Sequence, residues 1–164
     1  MSAPIKAPFW AVISGLVIVS AAVLLLAYRV APVPEHIHVH LSISVDGVQL
    51  VVPANTGIDP VTNVAMPLHT HDTTGIVHVE SPVTRTFTLG EFFQDSWHEP
   101  LDTTHVGAFT VSPTETLTVF VNQEPVTGDP ADIVLTNKLD IDLVFSPLGT
   151  PAVASAPFDW PPQY

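Results

Sequence analysis

The chain has 164 residues, with sixteen Asp and Glu against four Lys and Arg, a formal net charge of −12, and no cysteine. The missing thiols exclude disulfides, thiolate metal sites and cysteine nucleophiles, and so acidic a chain excludes nucleic-acid binding. Its distinctive reactive side chains are eight histidines.

Residues Phe9 to Ala27 form a run of nineteen residues without a charge. At 1.5 Å per helical residue this nearly matches a hydrocarbon core of ~30 Å, and it predicts a transmembrane helix within residues 1–30. Lys6 and Arg29 flank the run almost symmetrically, so the positive-inside rule decides little. The rest of the chain carries only Arg85 and Lys138 against all sixteen carboxylates, a net −14. This predicts a single-pass protein of the plasma membrane with its N-terminus in the cytoplasm and the acidic part outside. A cleaved signal peptide is the alternative, but the apolar core exceeds ~7 to 15 residues and Tyr28-Arg29 stands where small residues are expected.

Residues 31–35 read as a stiff proline-containing spacer, which places the histidines that follow within a few residues of the membrane exit. Residues 36–146 then make one domain, since ~135 residues beyond the anchor suffice for one core and not two. EHIHVHLSISVD alternates strictly, with Ile37, Val39, Leu41, Ile43 and Val45 on one face and His36, His38, His40, Ser42 and Ser44 on the other. That is the pattern of a half-buried strand. Asp46-Gly47 supplies a hairpin turn into a second strand over Val48 to Val52.

MPLHTHDTTGIVHVES reads as a further hairpin around Asp72-Thr73-Thr74-Gly75. If His71 faces Ile76 across that loop, His69 faces His78, and alternation puts His69, His71, His78 and Glu80 on one surface with Leu68, Val77 and Val79 on the other. Thr88-Leu89-Gly90-Glu91 is a capping-box pattern, followed by Leu89, Phe92, Phe93 and Trp97 at helical spacing. THVGAFTV, ETLTVFVN and LDIDLVF alternate as strands, separated by Asn122-Gln123-Glu124-Pro125 and Gly128-Asp129-Pro130 turns. The Pro-rich tail, residues 147–164, reads as an extended strap that Phe158, Trp160 and Tyr164 can dock.

The predicted fold is therefore α+β and mostly β, with a transmembrane helix followed by one β-rich domain containing a single short helix. That order resembles β-grasp domains, as does the late stretch VFVNQEPVTGDPADIVLTNKLDIDL; a β-sandwich is the alternative.

Six histidines lie between His36 and His78. Alternate histidines on a strand share a face, and neutral imidazole is the commonest protein ligand for copper and zinc. The candidate metal ligands are His36, His38, His40, His69, His71 and His78. Glu80 is expected to orient an imidazole from behind, and Asp72 to cap its turn or assist in the same way. His98 and His105 are isolated and read as ordinary polar residues. All-imidazole ligation suits Cu(II) or Zn(II), and the affinity order places copper ion ahead of zinc ion.

HxHxHLxIxxDG, LHTHDxxGxxHVESP and FTLGxFF together resemble a family of single-pass, membrane-anchored, extracytoplasmic His-rich bacterial and archaeal proteins. The resemblance implies this layout and no particular activity. Better-known histidine families fail on departures. In His69-Thr70-His71-Asp72 the Asp follows the second histidine immediately and the final histidine of the metallo-β-lactamase motif is missing, and the glutamate of cupins is replaced by Gly75 and Ile76. Copper-zinc superoxide dismutase needs cysteines, and α-carbonic anhydrase a much larger domain. The layout is also similar to small anchored accessory subunits of copper-containing membrane oxidases.

Three functions follow. The first is a metal-binding protein that captures or delivers copper, or serves an integral-membrane partner or a metal-receiving protein. The second is a small metalloenzyme with an open coordination position and Glu80 as base, for which no substrate pocket is visible in the sequence. The third is a pH-sensing or interaction domain whose histidines titrate without metal.

Overall fold

The computed structural model describes residues 8–30 and 35–164; Lys6 and the spacer expected over 31–35, apart from Glu35, lie outside them. The chain divides into two compact units, Met1–Pro32 and Val33–Tyr164. In the first, α1 runs over Phe9–Val30, and the apolar side chains between Phe9 and Tyr28 are exposed on every side. A helix apolar all round has no core to bury against in water. Among the described residues it is the one long and apolar enough to cross a membrane, which supports membrane anchoring.

The second unit is built on β1 (Glu35–Val45) and β9 (Leu139–Pro147), which pair in parallel with Val39 opposite Leu139 and Val45 opposite Phe145. Around them the sheet adds β2 (Val48–Leu50), β3 (Leu68–His69), β4 (Ile76–Ser81), β7 (Glu115–Val121) and β8 (Glu124–Val126). The order is β3-β4-β1-β9-β7-β8, with β2 on the free half of the β1 edge that β4 leaves. The sheet is open and seven-stranded, so its strands form a single layer and not the two stacked layers of a β-sandwich.

Turn chemistry explains the hairpins. Asp46 and Gly47 both adopt positive φ, as do Asn122 and Gln123, the geometry that suits a tight turn between right-twisted strands. THVGAFTV departs from the single strand expected of it. It folds back at Gly107 into a small ribbon, β5 (His105–Val106) against β6 (Phe109–Thr110).

One helical segment covers the apolar face of the sheet. Thr88 caps it by accepting from the Glu91 N–H, and the turn Leu89–Glu91 (α2) widens into a π-type helix over Phe92–Trp97. The reciprocal half of the capping box does not form, because Arg85 Nη1 draws the Glu91 carboxylate to itself at 2.9 and 3.0 Å. Leu89, Phe92 and Phe93 are buried against Val39, Leu41, Val77, Val79, Ile141 and Leu143, which alternate along their strands onto the same side. The histidines therefore occupy the other side of the sheet.

Two substitutions test this packing in urea denaturation. Phe93→Ala, which empties a fully buried ring position, should cost about 3–5 kcal/mol. Gly75→Ala should cost about 1–3 kcal/mol, because Gly75 has φ +83° and an added Cβ would collide with the Leu41 carbonyl oxygen.

Candidate metal centre

Strand register assembles the histidines. Antiparallel pairing sets His38 of β1 opposite His78 of β4, and His78 opposite His69 of β3. Directly opposed residues point to the same face, so three imidazoles form a row across three strands. Ring centroids are 4.6 Å apart for His38 and His78, and 5.3 Å for His69 and His78. His36, two residues from His38 on the same face, lies 5.0 Å from it. His71 comes off the end of β3 and sits 4.8 Å from His69 and 4.5 Å from His78.

The result is two triads of ligating atoms that share one residue. His36, His38 and His78 offer donor atoms all within 4.8 Å of one another, and so do His69, His71 and His78. Of the six histidines singled out in the sequence, five are brought together. His40 is drawn away: its Nδ1–H donates to Asp140 Oδ1 at 2.7 Å, and its ring stacks on Phe158 at 3.8 Å.

The face that carries the row is covered, contrary to the solvated face that strand alternation implies. Residues of the Pro-rich tail lie against it. Ser155 meets Ser42 and Asp142, the Phe158 N–H donates to Asp140, and the Tyr164 ring stands 4.5 Å from His38 and 5.6 Å from His78. His38 and His78, beneath Tyr164, are only 8 and 6 % exposed, and His69, bonded to the Met66 carbonyl and stacked on His78, is 1 % exposed, whereas His36 and His71 remain open.

Burial holds these imidazoles neutral. Desolvation is the main cause that lowers the pKa of His38, reinforced by His36, and that of His69, against the bond to the Met66 carbonyl. His78 is lowered to about 4 by burial and then by its neighbours His38, His71 and His69. Neutral imidazole is the metal-ligating form.

The nitrogens differ in what else they touch. His69 Nδ1–H donates to the Met66 carbonyl at 2.9 Å, leaving Nε2 free, the usual arrangement for a histidine that ligates through its second nitrogen. His78 Nδ1 is buried and has no hydrogen-bond partner; its closest carboxylate oxygen is Glu80 Oε1 at 3.6 Å. The same oxygen is 3.5 Å from His36 Nε2, so Glu80 stands between the two rings. Asp72 caps its turn by accepting from the Thr74 N–H and hydroxyl, bonds that hold its carboxyl below the usual range. His98 occupies a left-handed position that ends the helical segment, and His105 contacts Asp102.

Sequence reasoning missed Tyr164 as the cover of the row, and Asp140 as the partner of His40. Asp140 and Asp142 alternate with Leu139, Ile141 and Leu143, so a carboxylate pair on the polar face of β9 was readable. Its meeting with β1, a hundred residues earlier, was not.

In metal-free protein the lowered histidines set the pH dependence of stability. The unfolded chain takes up these protons near 6.5, whereas His78 in the folded chain resists them until about 4. Stability should therefore be full above pH ~6.5 and fall as pH drops towards 4. Urea midpoints measured from pH 7.5 to 4.5 check this, and His78→Gln should flatten the fall.

Comparison of the chain with protein-family models, with curated proteins and with solved structures finds no match to any of them.

Proposed function

We propose that this chain is a membrane-anchored metal-binding protein whose histidine cluster captures a copper ion, with zinc as the alternative, on the non-cytoplasmic side of the plasma membrane. There it delivers the ion to a metal-receiving protein or serves as an accessory subunit of an integral-membrane complex. One observation carries the reading. Three imidazoles are taken out of water in a single row, and the central one, His78, keeps a buried nitrogen with no partner. Burying a polar atom without a bond costs about 1–3 kcal/mol, and a bound cation turns that cost into a ligand bond.

The donor set supports the choice of metal. Imidazole without thiolate suits Cu(II) and Zn(II), and the order of intrinsic affinities favours copper. Met66 is the only methionine among the described residues, and it enters through its carbonyl bond to His69, which speaks against a thioether site for Cu(I). Glu80 supplies negative charge beside His36 and His78. A groove of about 830 Å³ on this domain is lined by residues such as Pro53, Ile58, Met66 and Trp97 and by none of the six histidines.

The full chain in detergent should retain at least one equivalent of copper through gel filtration after loading; less than about a tenth of an equivalent would contradict the reading. Joint replacement of His38 and His78 by Gln should weaken binding by about 100-fold or more. Joint replacement of His98 and His105 should leave it unchanged.

A further inference from the structure

We propose that the cluster is a two-metal centre in which His78 bridges the ions, one on each ring nitrogen. The inference rests on the metal-binding reading above and assigns its stoichiometry and its bridging group.

Two triads exist, each with its donor atoms within 4.8 Å of one another, and the five residues do not form one such group. Ligands on one ion at about 2.0–2.1 Å lie at most about 4 Å from each other, so each triad needs only a small closure to grip an ion. The five imidazoles nevertheless separate into two groups, His36 with His38 and His69 with His71, joined only through His78. An ion held by one triad leaves two imidazoles of the other without a metal.

His78 is suited to serve both. A histidine that ligates one ion commonly commits its other nitrogen to a carbonyl or carboxylate, as His69 does with Met66. Neither nitrogen of His78 has a hydrogen bond among the described residues, and its Nδ1 is buried and unpartnered. Its flanks are also distinct. Glu80 Oε1 lies 3.6 Å from Nδ1 and 3.5 Å from His36 Nε2, while His69 lies parallel to the His78 ring and His71 edge-on to it. The ring has two nitrogens, and the sheet register gives it two sets of partners.

The first ion binds one nitrogen of neutral His78. The second displaces the N–H proton from the other nitrogen, leaving an imidazolate with one lone pair on each metal; the proton goes to solvent. No electron changes hands. The two divalent ions bring four positive charges, offset by the imidazolate and by the carboxylates of Glu80 and, beside His71, Asp72.

Copper(II) titration of the full chain in detergent tests this, followed by native mass spectrometry and electron paramagnetic resonance. Two equivalents should bind, and the second should lower the resonance intensity below that of the one-equivalent form, because an imidazolate bridge couples the two unpaired electrons. His36 and His71 are exposed, so His71→Ala and His36→Ala preserve the fold and each should reduce binding to one equivalent with its signal intact. Two equivalents whose signals simply add would overturn the bridge. Saturation of the unaltered chain at one equivalent would overturn the two-metal centre while leaving the metal-binding reading in place. No retained copper or zinc would overturn both.

Discussion

Antiparallel pairing between β1 and β4 is the constraint from which the rest of the domain follows. Because side chains alternate with a period of two, the register that puts His38 opposite His78 also sends Val39, Val77 and Val79 to the opposite face. A slip of one residue would drive imidazoles into the apolar core and valines into the site. Burial of those valines under Phe92 and Phe93 thus fixes the register, and the register fixes the distances among the histidines. Core packing and site geometry are two faces of one pairing.

The second determinant is what covers the polar face. A sheet with one face packed and the other solvated would leave its histidines as ordinary surface groups. Here the chain returns after β9 and lays its Pro-rich segment over β1 and β9, with Phe158 on His40 and Tyr164 on His38. Proline limits the freedom that such a segment loses on docking, so an extended strap holds without strands of its own. Covering His38 and His78 removes water from them and favours their neutral form. His40 shows the other outcome on the same strand: Asp140 satisfies its Nδ1, and it leaves the cluster.

Much of this was legible from local pattern. The alternation in EHIHVHLSISV gives β1 and its two faces, the loop Asp72 to Gly75 gives the register of His69 with His78, and the Thr88 cap gives the start of the helical segment. Each of these depends on residues close in sequence. The parallel pairing of β1 with β9, the diversion of Glu91 to Arg85 and the docking of Tyr164 do not follow from local pattern, because they join segments whose meeting depends on the whole core. For the same reason six equivalent histidines in the sequence become five neighbours and one outlier in the fold.

The proposed function requires the neutral imidazoles on this face to be ligands and not buried structural groups. X-ray absorption at the metal edge of the copper- or zinc-loaded full chain addresses it most directly. At least three imidazole nitrogens at about 2.0–2.1 Å are expected, with the outer-ring scattering that marks histidine. A first shell made only of carboxylate and water oxygens would place the ion elsewhere on this acidic chain and contradict it.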